Sequence, residues 1–466
     1  MQTLRATIGN PASKAIIRGF TLYCDECKAN RIEVALELYT GVRNDACIKC
    51  KIAEKAISPL LTSGALTFHI TPQELKNKFK NPSWRKALVN VLIGIGKFGI
   101  QRPFITGAPF LVVWDITYAC NLKCKHCYAN AGKKLKDELS TEEAKLVIDK
   151  LSLASVPIIA FAGGEPLVRP DIFELASYTH QKGIYVAVAT NGTLITKEKA
   201  KEMKDAHIQF TQISLDGASS ETHDSFRGID GVFEKTVQGI KNAVDAGFFV
   251  NIATTATKNN YQEIPKIIDL CQQNKVNWFM MYNFVPTGRG KFISNNDLTP
   301  YEREDLLTLL YKKLKDSSCN VNILSTAPQF ARIALEHEIK FNNKIIPTHF
   351  YNTELSDKLL NLAEFIGGCG CGRFYCAIRP NGNIDPCVFF PLTVGNMLKD
   401  DFKTLWENNP ILNELRNRKH LLDACQSCEY HYYCGGCRAR AYAYTGNYLA
   451  GDPGCIRNNH NTEINL

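Results

Sequence analysis

Short apolar runs recur through the middle of the chain, at 110–117, 157–162, 184–190, 208–216, 248–255 and 278–283. They are apolar at successive positions rather than alternate ones, the pattern of strands covered on both faces. Between them, 141–153, 172–181, 197–205, 233–246 and 261–273 carry apolar residues at three- and four-residue spacing, which predicts amphipathic helices. Strand and helix alternate, so the expected fold class is α/β: a partial (β/α)6 TIM-like barrel with a parallel sheet. Residues 1–105 read as a helical region apart from a cysteine-bearing hairpin region at 20–52. The barrel is expected over 106–315 and a partly helical connector over 316–366. From 367 to 466, Cys, Gly, Pro and Tyr crowd into a small, loop-rich, Cys-rich domain.

Sites in such barrels gather where the strands end. The polar punctuation falls there: Cys120 after the first run, Gly163-Gly164-Glu165 after the second, Asn191-Gly192 after the third, and Ser214, Asp216 and Gly217 closing the fourth.

Composition narrows the picture. With 45% apolar and 22% charged residues in 466, the chain is an ordinary globular protein. A net charge of +9 suits an anionic substrate or an acidic electron donor, and no basic stripe interleaved with aromatics argues for nucleic acid. The first residues, MQTLRATIGNPASK, lack the apolar core and cleavage site of a secretory leader. The apolar stretch 87–100 is broken by Asn90 and Lys97 and is too short to span a bilayer, so it reads as a buried helix. Eighteen cysteines, mostly in CxxC-type groups, favour metal ligation over disulfides and hence a reducing, cytoplasmic setting.

The central group is Cys120-x3-Cys124-x2-Cys127. Three thiolates on one loop can hold three irons of a four-iron cluster and leave the fourth iron open. Structural zinc asks instead for four closed ligands. Together with Gly163-Gly164-Glu165 at the next strand end, this loop resembles the radical S-adenosylmethionine (SAM) superfamily over roughly residues 108–315. The resemblance implies a 4Fe–4S cluster on Cys120, Cys124 and Cys127, with SAM chelating the open iron. Reductive cleavage of SAM then yields a 5′-deoxyadenosyl radical that takes a hydrogen atom from a substrate, the electron coming from a low-potential donor of ferredoxin or flavodoxin type. The resemblance assigns Gly163, Gly164 and Glu165 to the SAM amino group, and Ser214 and Asp216 to ribose or carboxylate. Thr190 and Asn191 are further candidates for the same cradle. His126 and Tyr128 flank the last ligand, either near adenine or as turn and core residues. Arg227 is a partner for the SAM carboxylate or half of a structural ion pair.

Near the C-terminus, Cys425-x2-Cys428-x5-Cys434-x2-Cys437 and Cys371-x10-Gly382-x4-Cys387 resemble the SPASM extension of that superfamily. The family's last interval is usually three residues; here Gly435 and Gly436 make it two. The resemblance implies two auxiliary 4Fe–4S clusters, as electron relays or staples. One is assigned to Cys371, Cys376, Cys387 and Cys437, with Cys369 as an alternative to Cys371; the other to Cys425, Cys428, Cys434 and Cys455. Zinc in the same ligands is the competing reading. Cys24-x2-Cys27-x19-Cys47-x2-Cys50 has zinc-ribbon spacing and suits zinc or a single rubredoxin-like iron. Cys271 and Cys319 stand alone and read as buried free thiols.

Three functions fit. The first is modification of a peptide or protein, as many SPASM-bearing enzymes perform, with the N-terminal module gripping the substrate. The second is small-molecule chemistry. The run CGGCRARAYAYTGNYLAGDPGC resembles radical SAM proteins of the alternative haem pathway, which remove carboxylates from porphyrin propionates. The third is a non-catalytic multi-cluster electron carrier, against which the three-cysteine loop and the Gly-Gly-Glu segment speak.

Overall fold

The computed structural model describes residues 11–67, 71–341 and 363–458. The chain start, where a leader was weighed, and 342–362 of the expected connector lie outside those residues.

The N-terminal region holds helix α1 (Pro11–Phe20), a short hairpin of β1 (Tyr23–Cys24) and β2 (Ala29–Asn30), and helices α2 (Arg31–Thr40), α3 (Ile48–Thr67), α4 (Pro72–Lys80) and α5 (Pro82–Phe98). The hairpin is shorter than the cysteine spacing suggested. Asn30 turns the chain at once into α2, its side chain accepting from the Ile32 amide at 3.0 Å. Ile32, Ala35 and Leu36, at helical spacing, then pack with Ala53 and Ile57 of α3, Phe79 of α4 and Val89 of α5. The expected buried helix at 87–100 appears as most of α5. Its Asn90, fully buried, donates to the carbonyls of Pro109 (3.3 Å) and Ser155 (3.2 Å) and accepts from the Ala108 amide (3.1 Å). That one side chain bolts α5 to the barrel. No helix among the described residues is long and apolar enough to cross a membrane.

All six expected strands form: β3 (Leu111–Thr117), β4 (Ile158–Gly163), β5 (Tyr185–Thr190), β6 (Phe210–Ser214), β7 (Phe249–Ala256) and β8 (Trp278–Asn283). Neighbours pair in parallel throughout. The helices between them are α6 (Thr141–Leu153), α7 (Ile172–Gln181), α8 (Lys197–Asp205), α9 (Ser220–Arg227), α10 (Val232–Asp245) and α11 (Ile264–Gln273). Ser140 opens α6 with a full capping box to Glu143. The sheet continues past 315. After α12 (Pro300–Lys315), the short β9 (Asn322–Ser325) adds a seventh parallel strand beside β8, followed by α13 (Gln329–Phe341).

The C-terminal module is built onto the same sheet. Its strand β10 (Tyr375–Ile378) runs parallel to β3, and β11 (Asn383–Asp385) and β12 (Gly395–Asn396) follow antiparallel, with Gly382 in the first turn. The order is β12-β11-β10-β3-β4-β5-β6-β7-β8-β9, a curled sheet in which the end strands β12 and β9 do not pair. Alternation along the strands sorts the side chains. Val112, Trp114, Ile116, Ile159, Phe161 and Val186 pack outward under the helices. Leu111, Val113, Ile158, Ala160, Tyr185 and Ala187 point inward, where the alanines leave room for a cavity of about 1250 Å3.

Candidate active site

The loop after β3 carries the three cysteines and is held at both ends. Gly132 donates to the Tyr118 carbonyl (2.8 Å), and the amides of Lys123 and Lys125 donate to the carbonyls of Arg227 and Phe226 at the end of α9 (3.2 and 3.0 Å). Each sulfur meets an N–H donor. Leu122 donates to Cys120 Sγ and Ala131 to Cys127 Sγ, both at 3.4 Å, and Arg227 Nη1 lies 3.6 Å from Cys124 Sγ. Burial pushes the Cys120 thiol up to about 12 and raises Cys124, although the Arg227 guanidinium opposes the latter. Donors aimed at sulfurs that resist ionising alone fit thiolates whose charge a metal offsets.

Gly163 and Gly164 bring the end of β4 against this loop. A Cβ on Gly163 would stand 2.4 Å from the Thr117 carbonyl oxygen, and one on Gly164 2.2 Å from that of Ala119, so only glycine fits. Glu165 does not line the cavity. Its buried carboxylate accepts from the Leu167 amide (3.0 Å), the Thr190 hydroxyl (2.8 Å) and the Asn191 amide (2.8 Å), tying the ends of β4 and β5 together. Asn191 in turn donates to Asn121 (2.8 Å), inside the cysteine loop.

Ser214 faces the cavity, whereas Asp216 lies behind it, fully buried. Asp216 pairs with Arg227 at 2.5 Å and stands 3.5 Å from His126 Nε2. Burial alone would raise its pKa, but Arg227, together with His126, His223 and the Thr255 amide, outweighs that and holds the carboxyl below the usual range. Arg227 thus joins Asp216 to Cys124 while lining the cavity. His126 stacks on Phe226 at 4.1 Å, and burial lowers it to about 4, so it is a neutral ring. Tyr128 donates to Asp115 (2.9 Å), whose other oxygen takes Arg379 of the C-terminal module (2.7 Å). Sequence reasoning missed Arg289, which follows β8. Its amide donates to the Cys127 carbonyl and its Nε to that of Cys124, both at 2.9 Å. The strand-end rule that found the other residues applies to it equally.

The cavity runs the length of the barrel. At the strand starts it is lined by Tyr185, Phe210, Phe249 and Trp278, with Phe210–Phe249 and Phe249–Trp278 centroids 5.6 and 4.9 Å apart. Trp84, Val91 and Ile95 of α5 complete that end. At the strand ends it meets Thr190, Ser214, Thr255 and the cysteine loop, and on one side Cys369, Cys387 and Cys437.

The C-terminal cysteines separate into two groups, with one departure from expectation. Cys369, Cys371 and Cys387 share a small core with Cys437 packed on it, and the Tyr375 hydroxyl donates to Cys387 Sγ at 2.5 Å. Cys376 is not among them. On β10, Tyr375 and Ala377 face this group, so Cys376 and Ile378 point the opposite way, into the barrel core that also holds Met397 and Trp406. The structure thus does not bring Cys376 together with Cys371, Cys387 and Cys437, and it places Cys369 beside Cys371. In the second group, Cys425, Cys434 and Cys455 feel one another's charge, and Arg457 feels that of Cys428. Cys271 is buried, and Cys319 is half-buried within range of its charge.

Sulfur spacing distinguishes the metal classes. A zinc–thiolate bond of about 2.3 Å puts tetrahedral sulfurs about 3.8 Å apart. Among the described residues, the only group of three or more potential ligands lying within 4.8 Å of one another is Cys24, Cys27, Cys47 and Cys50. Among the described residues, neither the cysteine loop nor either C-terminal group brings three sulfurs all within that distance of one another. Buried charge agrees. Arg373, Arg416, Arg418 and Arg438 are all buried in the C-terminal module, and among the described residues none has a carboxylate partner. Arg418 lies between the two groups, where Cys369, Cys434 and Cys425 all act on it. Its Nη2 donates to the Cys369 carbonyl (2.8 Å), but Nε and Nη1 are buried with no acceptor. A Cβ on Gly435 would stand 2.6 Å from its Cζ, which accounts for a glycine there. Buried cations need a counter-charge, and four-thiolate iron–sulfur clusters, being anionic, fit that need.

Comparison with known proteins agrees with these features. The Radical SAM superfamily profile matches residues 114–271, and that of the SPASM iron-sulfur cluster-binding domain matches 369–429. The chain is 38% identical over 354 residues to the AdoMet-dependent heme synthase of Methanosarcina barkeri, covering 76% of this chain and 97% of that protein. It is 33% identical over 357 residues to the mycofactocin maturase MftC of Mycobacterium tuberculosis, covering 75% and 83%. In fold it is similar to Streptococcus suis SuiB bound to its precursor peptide SuiA, with TM-score 0.63, 19% identity and 93% of each chain covered.

Proposed function

Because the chain belongs to the radical SAM superfamily and is a SAM-dependent enzyme with SPASM-type auxiliary 4Fe–4S clusters, we propose that it acts on the propionate side chains of an iron porphyrin. When bound at the cysteine loop, the cluster and SAM supply a carbon radical able to take a hydrogen atom from an unactivated C–H bond. In this reading Cys120, Cys124 and Cys127 hold the cluster. Gly163, Gly164, Thr190, Asn191 and Ser214 shape the SAM cradle. Glu165 and the Asp216–Arg227 pair act one step behind, as braces.

The observation that carries the substrate class is the polarity gradient of the cavity. At about 1250 Å3 it exceeds the usual range for small ligands, about 300–1,000 Å3. One end is aromatic and suits a flat, apolar macrocycle. Among the described residues, the cationic side chains lining it are Arg227 and Arg289, and both stand at the other end beside the cysteine loop, where their charge favours a carboxylate near the hydrogen-abstracting radical. The apolar walls exclude water from that radical. The relative named a heme synthase supports the same class, as does the "Fe-coproporphyrin III synthase" of Methanosarcina barkeri at 33% identity.

The test is anaerobic incubation with SAM, dithionite and iron coproporphyrin III. A product lighter by one carbon dioxide and two hydrogens per side chain, with matching 5′-deoxyadenosine, is expected. SAM cleavage with no change in the porphyrin would sink this substrate. The second reading, peptide modification, has the maturase relative in its favour. It predicts instead that 5′-deoxyadenosine formation rises when a cognate peptide is added.

A further inference from the structure

The four N-terminal cysteines take no part in the cavity; none of them lines it. Cys24 closes β1 and Cys27 follows in the hairpin, while Cys47 stands just before α3 and Cys50 in its first turn. All four are free thiols, with Cys24 Sγ and Cys47 Sγ 3.5 Å apart. The Cys47 amide donates to Cys27 Sγ at 3.4 Å, and Cys24 and Cys50 are buried with Val34.

We propose that Cys24, Cys27, Cys47 and Cys50 hold one zinc ion that fastens the hairpin to the start of α3 and so keeps the N-terminal helices packed beneath the cavity. Four sulfurs within 4.8 Å of one another, drawn from two segments, form a closed tetrahedral set with no position left for water or substrate. The spacing is too tight for a four-iron cluster and differs from every other cysteine group among the described residues.

The fastening reaches the cavity through α2. That helix begins directly after β2 and packs with α3, α4 and α5 through Ile32, Leu36, Ile57, Phe79 and Val89. Its Glu33 and Glu37 face Lys86 and Arg85 of α5 at 3.7 and 3.4 Å. The opposite side of α5 supplies Trp84, Val91 and Ile95 to the cavity. Asn90 holds α5 to the barrel independently. Loss of the ion therefore loosens α1 to α4 without dismantling the barrel or its clusters.

The test uses the full chain purified without oxygen. Wild type is expected to carry one zinc beside its iron, and zinc-edge X-ray absorption should show four sulfurs at about 2.3 Å. The double variant Cys24→Ser, Cys27→Ser should lose the zinc and keep wild-type iron and sulfide. Protease should cut it within 11–80 about tenfold faster than wild type. Wild type without zinc, nitrogen or oxygen ligands at the zinc edge, or a fall of iron and sulfide in the variant would each overturn the ion assignment. An unchanged cleavage rate would overturn the fastening. The absorption measurement needs only wild type, so it decides the site even if the variant fails to accumulate.

Discussion

The two cysteine-rich ends of the molecule look alike in sequence, each with CxxC pairs, yet they are built differently. At the N-terminal end four sulfurs converge on one point. At the C-terminal end no three sulfurs among the described residues converge so closely, and three buried arginines without carboxylates, Arg373, Arg418 and Arg438, stand beside them. The N-terminal set lies at a hairpin tip with Cys27 and Cys47 partly exposed, so solvent and local N–H donors can offset the dianion that four thiolates make with zinc. A buried anionic cluster needs cations, and the fold provides them at the cost of burying guanidinium groups. The contrast teaches that the spread of the sulfurs and the charge behind them, more than the CxxC motif, decide which metal a cysteine group takes.

The strongest way to break the contrast is to remove one cysteine from each C-terminal group. Cys425→Ala should lose about four irons with their sulfide, as one whole cluster. Loss of a single zinc, with iron unchanged, would make the two ends alike and remove the distinction. Within the first group, Cys369→Ala should likewise cost about four irons, whereas Cys376→Ala should keep all of them. The latter should only lower stability, by about 1 kcal/mol, for the space left in the core. Iron analysis and thermal unfolding separate the two. The reverse result would return Cys376 to the cluster and put the phase of β10 in error.

Arg418 sharpens the contrast without touching a ligand. A positive charge near a cluster favours its reduced, more negative state, and in a buried site little screening weakens it. Arg418→Met should therefore keep the iron and lower the reduction potential of both auxiliary clusters. A shift on the order of 60 mV is a tenfold change in a one-electron equilibrium. Arg457, beside Cys428 but partly exposed and already paired with Glu336 and Glu429, should shift the potentials far less when replaced by Met. An EPR-monitored redox titration reads both. Equal shifts would mean that burial does not set the effect.

Much of this was legible in the chain. Six strands and the helices between them follow from apolar runs and helical periodicity, and α6, α7 and α8 fall where the pattern puts them. What stayed hidden has physical reasons. The strand β9 has four residues with polar ends, too short to form an apolar run. Helix α2 hid inside the cysteine spacing, although Ile32, Ala35 and Leu36 carry its period. The pairing of β10 with β3 joins segments more than 250 residues apart, and no local pattern encodes it. That Cys376 faces away from Cys371 and Cys387 could not be read, because motif spacing ignores strand phase, which sends neighbouring side chains to opposite faces. Arg418 and Arg289 are single residues with no spacing to mark them; only burial and strand-end position reveal what they do.

The two ends also differ in how they are attached. The C-terminal module joins through β10 on β3 and through Arg379, paired with Asp115 and Asp385, both at 2.7 Å. Among the described residues the N-terminal helices lack a sheet contact to the barrel, and their clearest polar link is Asn90 with its three buried hydrogen bonds. Asn90→Ala leaves the Ala108 amide and the Pro109 and Ser155 carbonyls without that partner, so it should cost about 2–4 kcal/mol. The loss should appear as earlier unfolding of the N-terminal helices, followed by hydrogen exchange, while β3 to β8 keep their protection. If the whole chain unfolds as one unit at the lower temperature, the N-terminal helices are part of the barrel's cooperative core. The difference between the two ends would then lie in the metals alone.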